Sequence, residues 1–288
     1  MISESKISEV VIELLKKAVT VLPKDVVDAL QKAYETETDE VPKSQLKTIL
    51  DNINIANETE KPMCQDTGIP IFFVNVGKVQ PGNVEKAIRA GVESATPTVP
   101  LRPNAVHPLT RKNPGNNLGE HMPYINYKFS ENNYIELSVM PKGAGSENMS
   151  AMKMLTPSAG VKGIKQFVLD TLVNAGGKPC PPIIMGVGIG GSADISLKLA
   201  KEALLRPIGS KNPVPEVAEL EQELYEALNT IGVGPMGLGG KTTLLGINIE
   251  YAYCHTASHP VGVNIQCWAA RRAAARIYED ETVEFLLH

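Results

Sequence analysis

The chain has 288 residues, of which 43% are hydrophobic and 21% charged, and its net charge is −4. This composition is typical of a globular protein with a substantial core, and the charge argues against a general nucleic-acid surface. No apolar run approaches the roughly 20 residues that span a bilayer, and the start of the chain lacks the layout of a signal peptide. Four cysteines in this length do not form a disulfide framework, so we expect a reducing cytoplasm.

Helices are predicted for about the first sixty residues. Ser8 is expected to cap the first helix, which has apolar residues at helical spacing on one face. A second helix is predicted over Lys24–Glu37. A third contains Leu46, Ile49, Leu50 and Ile53 and is expected to fray near Asn57.

The middle of the chain alternates strands, helices and loops. A buried strand is predicted over Ile69–Val76, and Pro81-Gly82-Asn83 opens a helix that continues through Val92. The segment Thr96–Gly119 is rich in Pro and Asn without periodicity, which indicates a long functional loop or covering arm. Two apolar runs, Tyr124–Phe129 and Tyr134–Val139, flank a polar turn and predict a β-hairpin.

The last part of the chain also mixes helices and strands. The predicted helices are Ser158–Asn174, Ala193–Leu205 and Pro215–Thr230, and the predicted strands are Ile183–Val187, Leu244–Tyr253 and Val261–Ile265. Together the elements predict a mixed α/β fold, with a helical N-terminal region of about 1–60 followed by a mixed β-sheet with flanking helices and glycine-rich loops. No linker divides the chain, so one domain is expected over residues 1–288.

Two glycine motifs suggest nucleotide sites that their surroundings do not support. Gly186–Gly191 satisfies G-x-G-x-x-G, but about twenty residues later Arg206–Ser210 offers no acidic residue for a ribose. Gly237–Thr243 resembles a phosphate-binding loop, but Pro235 stands where the first glycine of the Walker pattern should be. In both places we expect glycine to allow a close approach of backbone.

Three cysteines lie in unusual surroundings and far apart in the chain. Cys64 begins a polar turn, Cys180 lies between prolines, and Cys267 precedes the only tryptophan. Thiolates are the usual ligands of iron–sulfur clusters, and three without a clear fourth suggest a cluster with one iron open to substrate. Structural zinc, the main alternative, favours close-set pairs. Cys254 follows apolar residues and is expected to be a buried core thiol.

Ordered motifs then point to a family. Pro-Met-Cys-Gln-Asp-Thr-Gly at residues 62–68 resembles the signature of the class I, iron–sulfur fumarate hydratases and the related L-tartrate dehydratases. Three later segments resemble further motifs of that family, in the same order: Lys142–Asn148, Gly186–Gly191 and His255–Gly262. The similarity extends from about Cys64 to Arg272. It implies a hydro-lyase, and we expect a fumarate hydratase, which hydrates fumarate reversibly to L-malate.

The resemblance also implies a cofactor and site residues. It implies a [4Fe–4S] cluster on Cys64, Cys180 and Cys267. It further implies an active site with Asp66 and His255 as catalytic residues and with Gln65, Arg102 and Gly145 as substrate-binding residues. Arg111 and Lys112 are alternatives to Arg102 as the anion-binding residue. The alternative for His255 is a core histidine.

One departure from the family suggests a partner. Single-chain members have a C-terminal domain that supplies further groups to the active site, whereas this chain ends soon after the third cysteine. It therefore resembles the α subunit of the two-chain form. We expect a β subunit, an α2β2-type assembly, a small dicarboxylate substrate, and no nucleic-acid or membrane partner.

Three alternatives to a fumarate hydratase follow. The first is the same chemistry on L(+)-tartrate, since no residue of the chain clearly recognises the extra hydroxyl. An electron-transfer iron–sulfur subunit would need a fourth cysteine, for which Cys254 is the only candidate. A nucleotide-binding α/β protein would depend on the two glycine motifs that their context disfavours.

Overall fold

The computed structural model describes residues 1–286, and the contacts within it group the chain into two compact units. Unit 1 consists of Met1–Lys24, Asn52–Gly143 and the chain from Arg271 on, and unit 2 consists of Asp25–Asp51 and Ala144–Ala270. The predicted mixed α/β class with a helical N-terminal region is confirmed. The single domain over residues 1–288 stays a prediction. Within the described chain, no helix is long and apolar enough to cross a membrane.

The helices agree closely with the sequence-based expectations. They are α1 (Glu4–Thr20), α2 (Lys24–Thr36), α3 (Glu40–Thr59), α4 (Val84–Thr98), α5 (Ala144–Glu147), α6 (Gly160–Ala175), α7 (Ala193–Ala203) and α8 (Pro215–Asn229). The predicted cap of α1 is wrong, because Ser3 rather than Ser8 accepts the capping hydrogen bond, from Lys6 N–H. Helix α4 begins after Asn83, whose side chain accepts a hydrogen bond from Lys86 N–H, and it continues beyond the predicted end.

The strands form one mixed sheet in each unit. They are β1 (Ile69–Val76), β2 (Tyr124–Phe129), β3 (Tyr134–Lys142), β4 (Ala151–Leu155), β5 (Ile183–Gly190), β6 (Leu244–Ala252), β7 (His259–Gln266), β8 (Ala273–Tyr278) and β9 (Val283–Leu286). Unit 1 has the strand order β2-β1-β3-β8-β9, and unit 2 has the order β4-β7-β5-β6.

The predicted β-hairpin in unit 1 is wrong. Strands β2 and β3 do not pair with each other, since β1 lies between them, parallel to β2 and antiparallel to β3. The polar turn between them crosses the end of β1, where Ser130 N–H donates to the Val76 carbonyl and Gly77 N–H donates to the Tyr134 carbonyl. These contacts direct the two strands to opposite edges of β1.

The core of unit 1 covers one face of its sheet. Alternate residues of the central strands point into it, among them Phe72 and Val74 of β1 and Leu137 of β3. Helices α1 and α4 pack against each other and supply the rest of this core. Consequently the apolar stripe that predicted α1 is buried against the sheet.

In unit 2, glycines on one face of the sheet allow α7 to lie directly on it. A Cβ at Gly188 would lie 1.9 Å from the Ser196 carbonyl oxygen, and a Cβ at Gly186 would lie 1.9 Å from that of Ala200. The motif at residues 186–191 is therefore mostly strand β5, which continues past its predicted end at Val187, and its glycines serve helix packing. Helices α6 and α8 share the opposite core with apolar residues of β5, β6 and β7.

We expect Gly188→Ala to destabilise the protein, because its Cβ would overlap the backbone of α7. Overpacking of this kind lowers the free energy of unfolding by about 1–3 kcal/mol or more. The measurement is urea unfolding followed by circular dichroism. Gly119→Ala is the control, since no atom lies within 4 Å of its added Cβ. Equal stability of the two variants would contradict the packing described for α7.

Candidate active site

The loop from Cys64 to Gly68 joins α3 to β1 and is fixed on both sides within unit 1. On its N-terminal side, Met63 N–H donates to the Val19 carbonyl at 3.0 Å, and Asn52 donates to the Met63 carbonyl at 2.8 Å. On its C-terminal side, Gly68 has φ +80°, and a Cβ there would lie 2.7 Å from Lys142 N. Glycine is therefore required at this turn.

Asp66 is held inside this loop by several contacts. Its Oδ1 accepts hydrogen bonds from Gly68 N–H at 2.9 Å and from the Asn104 amide at 3.3 Å. A Cβ at Gly143 would lie 3.2 Å from Asp66 Oδ2 and 3.2 Å from Nη2 of Arg271. The carboxylate and the guanidinium thus approach the same backbone position, where a Cβ would be a tight fit.

Arg271 is a functional candidate that the sequence analysis missed. It is only 2% exposed, and its Nη1 donates a hydrogen bond to the Asp66 carbonyl. Its Nε has no hydrogen-bond partner among residues 1–286. Buried arginine is rare unless it is paired, so this side chain marks the loop as a place for negative charge. The signal in the sequence was a pair of arginines within an apolar stretch shortly after Cys267.

The long loop after α4 brings Arg102 to the same place. Arg102 N–H donates to the Thr67 hydroxyl at 2.9 Å, and its Nη1 lies 3.4 Å from the Gln65 carbonyl oxygen. The buried Asn117 folds this loop by accepting from Asn104 N–H and donating to the Arg102 carbonyl. Gln65 and Arg102 are both exposed.

The alternative cations occupy a different part of that loop. Arg111 and Lys112 are exposed and belong to a local turn, in which Arg111 N–H donates to the His107 carbonyl and the Lys112 carbonyl accepts from His107 N–H. Among the described residues, no hydrogen bond joins either of them to the Cys64–Gly68 loop. The geometry therefore supports Arg102 more than Arg111 or Lys112.

Two of the three predicted cluster ligands lie on adjacent loops of unit 2. Trp268 N–H, next to Cys267, donates to the Cys180 carbonyl at 3.3 Å. Both cysteines are half-buried, as is Cys64, which belongs to unit 1. No disulfide forms among the four cysteines, all of which lie in the described chain. Within residues 1–286, no three His, Cys, Asp or Glu side chains are grouped to hold a metal ion.

Gly145 lies on α5, beside the Cys180 loop. A Cβ at Gly145 would lie 3.7 Å from the Lys178 carbonyl oxygen. The end of α5 is anchored by Glu147, which forms an ion pair with Lys201 at 2.5 Å and accepts from the Asn264 amide at 3.3 Å. The predicted substrate residue thus lies on a helix held by these contacts, beside the loop of a predicted ligand.

The loop between β6 and β7 exposes its side chains. The prediction that Cys254 is a core thiol is wrong: β6 ends at Ala252, and Cys254 is exposed. The apolar neighbours that suggested burial include Tyr253, which is 94% exposed. His255 is also exposed, and its Nδ1 accepts from Ala257 N–H at 3.0 Å, so it is not a core histidine.

The motif that resembles a phosphate-binding loop is engaged by other parts of unit 2. Lys241 N–H donates to Glu37 at 2.7 Å, and its Nζ donates to the Thr36 carbonyl at 3.2 Å. Burial alone would raise the pKa of Glu37, but backbone hydrogen bonds, including that from Lys241, hold its pKa below the usual range. The lysine of this motif is thus held by other groups of the protein.

Comparison with known proteins shows the family of the chain. Residues 8–276 match the family described as Fumarate hydratase (Fumerase). The chain belongs to this family. It is 56% identical over 281 residues to "Putative L(+)-tartrate dehydratase subunit alpha" of Methanocaldococcus jannaschii, covering 96% of this chain and 99% of that protein. It is 37% identical over 287 residues to the L(+)-tartrate dehydratase subunit alpha of Escherichia coli and that of Shigella sonnei, covering 99% of this chain and 95% of each relative.

Membership of the fumarate hydratase family confirms two predictions. The family resemblance drawn from the ordered motifs is confirmed, and so is the enzyme class, a hydro-lyase. The roles of individual residues remain predictions. In this family member, Asp66, Arg102 and Arg271 converge on one loop of unit 1.

We expect Arg271→Met to destabilise the protein, because the Asp66 carbonyl would lose its buried donor. Loss of such a hydrogen bond lowers the free energy of unfolding by about 1–3 kcal/mol. Arg111→Met, at an exposed position, should change it by less than about 0.5 kcal/mol. Urea unfolding of both variants is the measurement. A loss no larger for Arg271→Met than for Arg111→Met would show that Arg271 does not hold the loop.

Proposed function

We propose that this chain is the α subunit of a [4Fe–4S]-dependent hydro-lyase that interconverts L-malate and fumarate. The observation that supports it most directly is the Cys64–Gly68 loop, where a predicted ligand adjoins Asp66 and two arginines. Asp66 is oriented by Gly68 and Asn104, and the buried Arg271 contacts its carbonyl. A carboxyl group beside cations suits the acid–base chemistry of an anionic substrate.

The three cysteines are of the residue type that binds iron–sulfur clusters. Cys64, Cys180 and Cys267 are half-buried loop residues without disulfides, and the backbone hydrogen bond from Trp268 joins two of their loops. Three thiolates would hold the cluster and leave one iron open. When bound, that iron supplies a Lewis acid for the substrate hydroxyl and carboxylate. Cysteines in this state suit the reducing cytoplasm that we propose as the compartment.

The side chains of the chain then have distinct tasks. Dehydration of malate requires a proton for the departing hydroxyl. We propose that Asp66 donates this proton and accepts it back in the hydration direction. Arg102 and Gln65, side by side on the same surface, would bind a substrate carboxylate, because guanidinium forms paired hydrogen bonds with carboxylate. On unit 2, His255 would orient the substrate through hydrogen bonds, and Gly145 would allow its close approach.

A β subunit would complete the active site in an α2β2-type assembly. The curated relatives are named as alpha subunits. Arg102, Gln65 and His255 are all exposed, whereas charged groups bind a substrate carboxylate more strongly where bulk solvent is excluded. We propose that the β subunit covers these residues, pairs the second carboxylate and supplies the base for the C3 proton.

L(+)-tartrate is the second candidate substrate. The names of the relatives favour it, at 56% and 37% identity. It differs from malate by one hydroxyl, and both are dicarboxylates that would use the same proton donor and the same cations. Assay of both substrates decides between them, since a site built to bind the extra hydroxyl would discriminate strongly against malate.

We expect replacement of Cys64, Cys180 or Cys267 by Ser to abolish stable cluster binding, because each removes a thiolate ligand. The protein, reconstituted anaerobically, should bind about four irons per chain. The measurement is iron content together with visible absorbance. The matched control is Cys254→Ser, which changes an exposed thiol of the same chain and should leave iron binding intact. If Cys254 were equally necessary, an electron-transfer cluster with four cysteine ligands would replace the open-iron proposal.

We expect Asp66→Asn and Arg102→Met to impair the assembled enzyme in different ways. Asparagine cannot transfer the proton, so kcat should fall by roughly 10²–10⁴ with iron content retained. Loss of the guanidinium at residue 102 should chiefly raise KM, because it pairs with substrate in the ground state as well. Steady-state kinetics on malate and tartrate measure both effects.

Arg111→Met is the control for the arginine variant. It removes an exposed cation from the same long loop and should leave KM unchanged. A raised KM in Arg111→Met with a normal one in Arg102→Met would overturn the assignment of the anion-binding residue. Near-normal kcat in Asp66→Asn would transfer the role of proton donor to another group, with His255 the first to test.

A further inference from the structure

The glycine-rich segment Gly234–Thr243 lies against the loop that presents Cys180, within unit 2. Met236 N–H donates to the Pro181 carbonyl at 2.7 Å. A Cβ at Gly237 would lie 2.8 Å from Gly177 Cα, and a Cβ at Gly177 would lie 3.1 Å from Gly237 Cα. Backbone therefore meets backbone on both sides of this contact, and neither glycine can be enlarged without a shift.

Thr243 fixes the C-terminal end of the segment. It is fully buried, and its hydroxyl accepts from Gly234 N–H at 3.1 Å. Its carbonyl accepts from Ile183 N–H at 2.9 Å, and its own N–H donates to Asn229 at 2.9 Å. Since Ile183 begins strand β5 shortly after Cys180, one threonine ties the segment to the strand that follows the Cys180 loop.

The segment is also fixed from the side by Glu37. Its Oε2 accepts from Lys241 N–H, and a Cβ at Gly240 would lie 2.5 Å from that oxygen. The segment therefore has three attachments: the Cys180 loop, the start of β5 and the residue that follows α2. A loop fixed at three points can hold the neighbouring Cys180 loop in one conformation.

The Cys180 backbone requires such support. Its φ is +55°, a left-handed conformation that costs energy for a residue with a Cβ and persists where the surroundings impose it. Cys180 N–H donates to the Gly177 carbonyl at 3.2 Å, and the Cys180 carbonyl accepts from Trp268 N–H at 3.3 Å. Gly177 thus contacts both Cys180 and Gly237.

We infer that Gly234–Thr243 is a clamp that positions Cys180 as a cluster ligand, with Gly177 and Gly237 as positioning residues at the point of contact. This inference rests on the proposed function, in which Cys180 is a ligand. Groups that orient a metal ligand typically affect metal affinity by 10–100-fold. The glycines that resemble a phosphate-binding loop would then serve close approach to the Cys180 loop.

The test uses Gly177→Ala and Gly237→Ala in the full chain, reconstituted anaerobically. Gly232→Ala is the control for Gly237→Ala: its φ of +74° matches the +77° of Gly237, but no atom lies within 4 Å of its added Cβ. Gly177 lacks a positive φ, so its variant tests the contact without backbone strain. We measure iron retention against increasing chelator, and the electron paramagnetic resonance signal of the three-iron form after brief oxidation.

The two contact variants should release iron at roughly 10- to 100-fold lower chelator concentration than the parent, while Gly232→Ala should match the parent. Retention equal to the parent in both contact variants, with Cys180→Ser unable to bind iron, would overturn the clamp and leave the proposed function intact. A parent that binds no cluster, or a Cys180→Ser variant that binds it fully, would overturn both.

Thr243 gives a second test should an alanine variant fail to fold. Thr243→Val keeps the shape but cannot accept the hydrogen bond from Gly234, whereas Thr243→Ser can. We expect weakened iron retention in Thr243→Val and retention close to the parent in Thr243→Ser, with matching far-ultraviolet circular dichroism. Equal retention in both would contradict the clamp.

Discussion

The hydrogen bond from the buried Arg271 to the Asp66 carbonyl is the interaction on which the candidate site depends most. A guanidinium removed from water needs acceptors, and the backbone carbonyl of the Cys64–Gly68 loop provides one. The same hydrogen bond holds the loop so that the Asp66 carboxyl lies close to Gly143. The same cation that fixes the loop also makes it favourable for an anion. In unit 1, burial of the Arg271 guanidinium therefore serves both the loop structure and the proposed chemistry.

In unit 2 the recurring constraint is backbone contact through glycine. Gly186 and Gly188 allow α7 to lie on the sheet, and Gly177 and Gly237 allow two loops to meet. Both places coincide with sequence motifs that resemble nucleotide-binding loops. Glycine serves close approach in each case, whether the neighbour is a phosphate or another part of the chain. Here the neighbours are protein backbone, and one of them presents a predicted ligand.

Local patterns predicted the long helices and most strands, but they did not predict the short helix α5 or strands β4, β8 and β9, and the predicted pairing of β2 with β3 was wrong. Apolar residues at helical spacing located α1 and α2, because burial of one helix face follows directly from sequence period. The hairpin of β2 and β3 was wrong because the contacts at the end of β1 depend on residues distant in sequence. Cys254 was misplaced for a related reason: apolar neighbours predict burial only while the strand continues.

The site was predictable to a similar extent. Ordered motifs located the family, which is confirmed, since each motif is local. The roles of Asp66 and the three cysteines stay predictions. Arg271 was missed because its burial and its bond to Asp66 arise only when β8 returns to the sheet of unit 1. The placement of Arg102 rather than Arg111 likewise depends on Asn117 folding the long loop.

The most direct test is turnover by this chain with and without a β subunit. The chain would be purified anaerobically, loaded with iron and sulfide, and assayed on L-malate and L(+)-tartrate, alone and with a β subunit of the same family. We predict dehydration only when both chains and the cluster are present, with malate as the better substrate. Robust turnover by this chain alone would contradict the split active site. Failure of the loaded pair to dehydrate either substrate would contradict the proposed activity on malate and tartrate.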